Sequence, residues 1–394
     1  MKVLQIEFKH LPLFKDGRFC VDFFAQDRVV GEDKPFQING SIYSQKELAL
    51  VGINATGKTT GLRLINLALS VLLGNRGLSS IGLLSAGIIR DGVIMKITFF
   101  HEDKYYQLES TLGWNLSPDP TVAGHFYFKE EILRAKHKSL VKTKKELLDF
   151  SEAQYIIEQR SKQNQDVKSV LRDDDSILLK VIKGNAGTII NTIEDSNFNM
   201  INTVGQTPSE ILQVFDDNLA ILSALPNAVN HKVEYHIQFK NSKETFNMDS
   251  PRFMNFFFSS GTIKGQNLIN NSIAVLKTGG YLLVDELENH FNKELVRVIM
   301  DLFREERTNP RGACLIFSTH YAEILDFLDR KDNIYILRKE AGLINIAKFS
   351  DEYNRNDVKK SELFISNYLK GTAPSYENIE KMRELVCREV CRKN

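Results

Sequence analysis

The stretch that most constrains this chain is residues 49–60, which read Ala-Leu-Val-Gly-Ile-Asn-Ala-Thr-Gly-Lys-Thr-Thr. The first three residues close an apolar run that predicts a buried strand, and the segment from Gly52 to Thr59 matches G-x-x-x-x-G-K-[ST] at every fixed position. An apolar segment at residues 62–73 follows and predicts a helix. A strand, a glycine-bounded loop and a helix in this order predict a P-loop, which surrounds phosphate groups.

The residue types at the fixed positions explain this expectation. Gly52 and Gly57 let the backbone approach a phosphate more closely than a residue with a Cβ would. The N-terminus of the following helix adds a partial positive charge. Lys58 is expected to reach the β- and γ-phosphates of a nucleotide, and the Thr59 hydroxyl to bind Mg²⁺. The predicted nucleotide-binding residues in this stretch are Gly52, Asn54, Ala55, Thr56, Gly57, Lys58, Thr59 and Thr60.

The alternative is an ordinary glycine turn before a helix, which the flanking strand and helix disfavour.

The chain of 394 residues has room for one large domain with an insertion or for two domains. With 42% hydrophobic and 26% charged residues, its composition is that of a globular protein. A formal net charge of +1 does not demand a nucleic-acid partner.

The chain is expected to be cytoplasmic and to have no membrane partner. Its N-terminus has no signal-peptide pattern, and no uninterrupted apolar run approaches membrane-spanning length. Its four cysteines are too few and too scattered for a disulfide framework.

The segments around the P-loop are predicted to form strands, whereas the later insertion is predicted to be helical. Strands are predicted at residues 18–24, 36–42, 93–100 and 105–111, as in an antiparallel β-subdomain beside a P-loop core. Residues 126–183 are rich in Lys, Glu, Gln and Leu at helical spacing, so we expect a mainly helical insertion over residues 113–250. A basic run in this segment indicates either a solvated helix face or a nucleic-acid surface: Lys136, Lys138, Lys142, Lys144 and Lys145.

The second half of the chain predicts further strands of a parallel α/β sheet. An apolar strand at residues 281–284 ends in Asp285 and Glu286, and a second at residues 314–317 precedes Ser318-Thr319-His320. The carboxyl ends of parallel strands meet at one edge of a sheet, where such folds bind their ligands. These polar residues are therefore expected to lie beside the P-loop.

Their side chains suit the hydrolysis of a nucleoside triphosphate. Asp285 would hold Mg²⁺ together with Thr59, and Glu286 would act as the general base for the attacking water. The alternative is a strand that simply ends in solvated acids. A lone histidine is more often structural, but the order and spacing of His320 favour contact with the γ-phosphate. The predicted catalytic residues are Lys58, Glu286 and His320, and the predicted metal ligands are Thr59 and Asp285.

The whole set of motifs resembles the ABC-type ATPases. Besides the P-loop, it comprises Phe258-Ser259-Ser260-Gly261-Thr262, the run Leu-Leu-Val-Asp-Glu-Leu-Glu-Asn-His at residues 282–290, and Ser318-Thr319-His320. More narrowly, it is similar to the OLD-like AAA branch, which is related to SMC and RecF proteins. The resemblance covers residues 1–110 and 250–350.

This resemblance implies an α/β fold, in which a P-loop ABC-type ATPase head combines a mostly parallel sheet with an antiparallel β-subdomain and carries a largely helical insertion. Residues 1–112 and 251–350 would be the two halves of the head, residues 113–250 the insertion and residues 351–394 a helical tail. ATP and Mg²⁺ are the implied cofactors. Ser259, Ser260 and Gly261 would contact the γ-phosphate held by the other protomer, which implies a head-to-tail dimer around two ATP molecules.

The resemblance also suggests a biological role. Many ATPases of this branch, such as the Septu and PARIS subunits, are sensors or motors of bacterial anti-phage systems that act with a separate effector, often a nuclease. OLD proteins carry a C-terminal Toprim nuclease, for which residues 351–394 leave no room. The leading expectation is an ATP-hydrolysing switch that controls a separate nuclease or toxin. The alternatives are a RecF-like or SMC-like DNA-repair ATPase and, less favoured, a transporter subunit, and a nucleic-acid partner stays open.

Overall fold

The structure, a computed structural model, describes residues 1–29, 34–74, 77–78, 87–115, 124–162, 171–182, 187–194, 205–227, 233–250, 256–289, 291–355, 357–372 and 376–391. Over these ranges the chain has a mixed α/β fold with two six-stranded sheets, one four-stranded sheet and one two-stranded sheet. The prediction of an α/β fold that contains parallel strands is therefore confirmed.

The elements are numbered in chain order. The strands are β1 (Lys2–Lys9), β2 (Phe19–Asp22), β3 (Phe36–Asn39), β4 (Ile42–Ser44), β5 (Glu47–Val51), β6 (Ile94–His101), β7 (Lys104–Asn115), β8 (His125–His137), β9 (Ile156–Gln159), β10 (Ile189–Asn191), β11 (Gly205–Gln206), β12 (Leu219–Pro226), β13 (Val233–Phe239), β14 (Thr245–Met248), β15 (Tyr281–Val284), β16 (Cys314–Thr319), β17 (Ile334–Glu340) and β18 (Leu343–Lys348). The α-helices are α1 (Lys58–Leu73), α2 (Lys144–Leu148), α3 (Leu178–Val181), α4 (Ser209–Phe215), α5 (Ser260–Thr278), α6 (Lys293–Arg304), α7 (Phe349–Glu352), α8 (Lys360–Ile365) and α9 (Tyr376–Cys391).

The central sheet has the strand order β10-β15-β16-β5-β17-β18. Its first five strands are parallel, and β18 pairs antiparallel with β17. Both faces are covered: in β5, Leu48 and Leu50 belong to one buried cluster with α1, whereas Ala49 and Val51 belong to another with α5 and α6. Burial on both faces explains the unbroken apolar run before the 52–59 loop.

A second, antiparallel sheet lies on the other side of α1, in the order β2-β1-β6-β7-β8-β9. Leu62 and Ile65 of α1 share one buried cluster with Ile97 of β6 and Leu108 of β7. The helix that follows the 52–59 loop is therefore packed between two sheets. The strands predicted at residues 93–100 and 105–111 are confirmed as β6 and most of β7.

The expectation of a mainly helical insertion at residues 113–250 is wrong for the part that the structure describes. There the 13-residue β8 and the strands from β9 to β14 predominate, while α2, α3 and α4 have only 5, 4 and 7 residues. Two charged residues of β8, Glu131 and Lys136, are buried, and they lie on opposite faces of the strand. These buried charges hid the alternation of polar and apolar residues that marks a strand.

Local hydrogen bonds make these two buried charges tolerable. The Glu131 carboxylate accepts hydrogen bonds from Arg160 and from the backbone N–H of Ile177, and Lys136 donates to the Asp149 carbonyl at 2.6 Å. The basic run is therefore not one solvated helix face. Its members are spread over β8, a 3₁₀ turn, the residues before α2 and α2 itself.

The four-stranded antiparallel sheet β11-β12-β13-β14 packs against the start of α5. Leu222 of β12 and Ile237 of β13 form a buried cluster with Phe258 and Ile263. Gln266 of α5 also donates a hydrogen bond to the Thr207 hydroxyl. This sheet therefore supports the segment that contains the Ser-Ser-Gly sequence.

The tail contributes the six-residue α8 and the 16-residue α9. Leu363 and Phe364 of α8 join the buried cluster on the α5 and α6 side of the central sheet, whereas α9 is largely exposed. Among the described residues, no helix is both long enough and apolar enough to cross a lipid bilayer. Cys20, Cys314 and Cys387 are free thiols.

Candidate functional site

The predicted site residues meet at one edge of the central sheet. Val51 of β5 is paired with Thr319 of β16, and Val284 of β15 is paired with Phe317 of β16. Because these strands are parallel, the segments that follow them emerge at the same edge. The structure therefore brings together the 52–59 loop, Asp285 and Glu286, and residues 318–320.

Steric constraints explain both fixed glycines of the 52–59 loop. A Cβ on Gly52 would lie 2.4 Å from the Leu337 carbonyl oxygen. Gly57 has a φ of +96°, and a Cβ there would lie 2.4 Å from Cδ1 of Ile344. Neither position accepts another residue without a shift of its neighbours.

Lys58 lies folded onto the loop that precedes it. Its Nζ donates hydrogen bonds to the Gly52 and Ile53 carbonyls at 2.9 and 3.0 Å. Burial lowers the pKa of Lys58, while the nearby carboxylates of Glu286 and Asp285 act in the opposite direction. The lysine is therefore held by neutral carbonyl groups, which an anionic ligand can replace.

Asp285 connects two strand ends with the start of α1. Its Oδ2 accepts a hydrogen bond of 2.7 Å from the Thr59 hydroxyl, and its Oδ1 accepts one from the Ser318 hydroxyl. Both partners are neutral donors. The Asp285 carboxylate therefore links β16 to the N-terminus of α1 beside the 52–59 loop.

Glu286 follows Asp285 in a backbone conformation that is uncommon for residues other than glycine, with φ at +51°. Its N–H donates to the Ser318 hydroxyl at 2.8 Å, and its carbonyl accepts from the N–H of Asn289, also at 2.8 Å. Its side chain lines the cavity beside the 52–59 loop. The site thus presents a second carboxylate to that cavity.

His320 is anchored by Glu288. Oε1 of Glu288 accepts a hydrogen bond of 2.9 Å from the His320 backbone N–H, and Nδ1 of the ring lies 2.9 Å from the same oxygen. Glu288 is buried. The sequence analysis named Glu288 only as part of the run at residues 282–290, yet its carboxylate holds the backbone N–H of the predicted histidine and lies beside the ring.

The cavity at the site has a volume of about 470 Å³, within the range of small-molecule pockets. One wall consists of the 52–59 loop and the start of α1. The sequence reasoning missed the residues of the opposite wall, for which no motif exists. They are Leu13, Lys339, Gly342 and Ile344.

This opposite wall joins two distant segments. The Ile344 N–H donates to the Leu13 carbonyl at 2.8 Å, and Lys15 forms an ion pair of 2.7 Å with Glu340. These contacts connect the loop after β1 to the β17–β18 hairpin. The side chains of this wall are the apolar Leu13 and Ile344 and the basic Lys339.

The Ser-Ser-Gly segment lies outside the residues that line the cavity. Ser259 caps α5, and its hydroxyl accepts a hydrogen bond of 3.2 Å from the Thr262 N–H. Ser260 and Gly261 form the first turn of that helix. Within one chain, these three residues therefore do not line the cavity beside the 52–59 loop.

The chemistry of the site suits a magnesium ion. Thr59 and Asp285 provide a hydroxyl and a carboxylate oxygen side by side, and Mg²⁺ prefers one or two such ligands together with phosphate oxygens and water. The described part of the chain contains no group of three or more His, Cys, Asp or Glu residues that could hold a metal by itself. His290, the last residue of the run at 282–290, falls outside the described residues.

No protein-family model matches the chain. No curated protein matches it either.

Proposed function

We propose that this chain is an ATP-binding and ATP-hydrolysing switch with an ABC-type head of the OLD-like branch. The observation that carries the proposal is the meeting of Lys58, Thr59, Asp285 and Glu286 at one sheet edge, beside a cavity of about 470 Å³. A cation, a hydroxyl and two carboxylates around a glycine-bounded loop suit the binding and hydrolysis of a nucleoside triphosphate better than the binding of a neutral ligand.

Each residue has a role in this proposal. The N–H groups of residues 54–60 and the ammonium of Lys58 bind the phosphates, and Lys58 exchanges its carbonyl partners for phosphate oxygens. Thr59 and Asp285 would hold Mg²⁺, which supplies positive charge to the phosphates when bound. Glu286 accepts the proton of the attacking water, and His320, oriented by Glu288, donates a hydrogen bond to the γ-phosphate.

The proposal includes a head-to-tail dimer. Ser259, Ser260 and Gly261 lie at the N-terminus of a 19-residue helix, outside the cavity of their own chain. A helix N-terminus favours a phosphate group, so we assign these residues to the γ-phosphate bound by the partner subunit. Each dimer would contain two such composite sites, and higher oligomers remain compatible with this arrangement.

We further propose that ATP-dependent dimerisation controls a separate effector, a nuclease or a toxin, in an anti-phage system of the cytoplasm. The motif resemblance supports this step. The four-stranded sheet β11–β14 supports it physically, because this sheet packs directly on Phe258 and on the start of α5. A partner bound to that sheet would therefore act on the residues that close the dimer.

Affinity purification of the tagged Glu286→Gln chain in the presence of ATP tests the switch proposal. This variant is expected to bind ATP without hydrolysing it, and so to accumulate in the closed state with its partner. The Lys58→Ala chain is the matched control, because it keeps the fold and loses the nucleotide. A nuclease or toxin captured only by Glu286→Gln supports the proposal. A permease, or DNA without a protein effector, overturns it in favour of transport or repair.

A further inference from the structure

Ser318 occupies a central position in the site, and the sequence motifs give it no role. It is the fifth residue of β16, is fully buried, and its hydroxyl lies between the two carboxylate-bearing residues that follow β15. The hydroxyl donates to Oδ1 of Asp285 and accepts from the Glu286 N–H at 2.8 Å. One buried oxygen atom therefore contacts both residues.

The backbone at Glu286 explains why such a contact is needed. A φ of +51° at a glutamate is sparsely populated and persists only where the surrounding structure stabilises it. The N–H of Glu286 is held by the Ser318 hydroxyl, and the next N–H, that of Leu287, donates to the Ser318 carbonyl at 3.0 Å. The hydroxyl and the carbonyl of Ser318 thus both hold the turn that contains Glu286.

The hydrogen-bond inventory of a serine fits this double role. A hydroxyl has one donor and two acceptor sites, so it can donate to a carboxylate and accept from an N–H at the same time. Alanine and valine would do neither. Because Ser318 pairs with Leu50 of β5 and follows Phe317, which pairs with Val284 of β15, its position is fixed by the sheet.

We propose that Ser318 is a positioning residue that holds Glu286 in its left-handed conformation and orients Asp285 toward Thr59. This inference rests on the proposed function. The contact with the Glu286 N–H sets the direction of the general base, and the contact with Asp285 sets the second ligand of the predicted metal site. Ser318 itself touches neither the nucleotide nor the metal.

The test compares two serine-to-alanine variants of equal burial. Ser318→Ala removes both contacts, whereas the control Ser272→Ala removes a 2.7 Å hydrogen bond from a fully buried hydroxyl to the Leu268 carbonyl within α5. Thermal unfolding of both variants separates an effect on the site from a loss of the fold. The readouts are the affinity of the ATP-bound chain for Mn²⁺, followed by electron paramagnetic resonance, and the single-turnover rate of ATP hydrolysis.

Ser318→Ala is expected to weaken Mn²⁺ binding about 10-fold and to lower the hydrolysis rate roughly 10- to 100-fold, as for other residues that orient metal ligands. Ser272→Ala should change neither. At saturating metal, Ser318→Ala should have no further effect on the residual rate of the Glu286→Gln chain, because both changes disable the same group. Ser318→Thr, which keeps the hydroxyl, should restore much of the loss.

Wild-type Mn²⁺ affinity and wild-type hydrolysis in Ser318→Ala would overturn the inference, as would equal losses in Ser272→Ala. If the unmodified chain binds ATP and Mn²⁺ without any hydrolysis, the proposed catalytic function fails. The Mn²⁺ titration still tests the positioning of Asp285 in that case. The two failures are therefore distinguishable.

Discussion

The Thr59 hydroxyl donates a hydrogen bond of 2.7 Å to Oδ2 of Asp285, although the two residues are 226 positions apart in the chain. The contact joins the N-terminus of α1 to the carboxyl end of β15. Both oxygens belong to types that bind Mg²⁺. Both residues should therefore affect the Mg²⁺ concentration that the proposed activity requires.

Asp285→Asn and Thr59→Ala should each raise the Mg²⁺ concentration needed for half-maximal hydrolysis, by about 10-fold or more. Each change removes one oxygen ligand or its charge. The measurement is a Mg²⁺ titration of steady-state hydrolysis at saturating ATP. Ser70→Ala, which removes a hydroxyl from the far end of α1, is the control. An unchanged Mg²⁺ requirement in both site variants would contradict the metal assignment.

The pair formed by Glu288 and His320 gives a second prediction. His320→Ala should lower the single-turnover rate by about 100-fold with little change in ATP affinity, since the imidazole is proposed to act on the γ-phosphate during reaction. Glu288→Ala should have a similar effect because Nδ1 loses the oxygen 2.9 Å away. Glu288→Gln, which keeps an acceptor oxygen, should be milder. Wild-type rates in His320→Ala would show that the histidine is structural.

A mixing experiment tests the proposed composite sites. Lys58→Ala chains and Ser259→Arg chains should each be inactive alone, the first for lack of nucleotide and the second because the arginine removes the hydroxyl that would contact the γ-phosphate bound by the partner subunit. In a mixed dimer, one site combines the intact Lys58 of one chain with the intact Ser259 of the other. Hydrolysis should therefore reappear on mixing. Continued inactivity at concentrations where the unmodified chain dimerises would contradict the head-to-tail arrangement.

Glu47, at the opposite end of β5 from the site, gives a prediction about stability. Burial raises its pKa to about 7, and Arg304, whose Nη2 lies 3.6 Å from Oε1, offsets only part of that rise. The folded protein therefore holds a proton that the unfolded chain releases near pH 4.5, so stability decreases as the pH rises from about 4.5 through 7.

Replacement of Glu47 by glutamine should remove this dependence, because the amide cannot ionise. Relative to the variant, the unmodified protein should lose roughly 2 to 3 kcal/mol of unfolding free energy between pH 4.5 and pH 8. Urea unfolding at several pH values measures the difference. Parallel pH curves for the two proteins would show that Glu47 is not the group responsible.

The central sheet and the site edge could be predicted because their signals are local. The strand at residues 281–284 is four apolar residues followed by two acids, and the 52–59 loop is fixed by residues whose chemistry allows few alternatives. The order of these segments then places them at one edge through the geometry of parallel strands.

The remaining parts depend on contacts that no local pattern encodes. In β8, Glu131 is buried where Arg160 and the Ile177 N–H donate to its carboxylate, and Lys136 is buried on the other face, where it donates to the carbonyls of residues 146 and 149. Leu13 and Ile344 meet at the cavity through a single backbone hydrogen bond between segments far apart in sequence. Long-range contacts of this kind produce no periodic pattern of apolar residues in either segment, so the sequence does not predict them.

The central claim is that the 52–59 loop and the Asp285–Glu286 turn form one ATP-hydrolysing site. Its most direct test is ATP binding and hydrolysis measured side by side for the unmodified, Lys58→Ala and Glu286→Gln chains. The expected result is hydrolysis by the unmodified chain, no binding by Lys58→Ala, and binding without hydrolysis by Glu286→Gln, which collects as an ATP-bound dimer. Hydrolysis at the unmodified rate by Glu286→Gln, or full ATP affinity in Lys58→Ala, would contradict the claim.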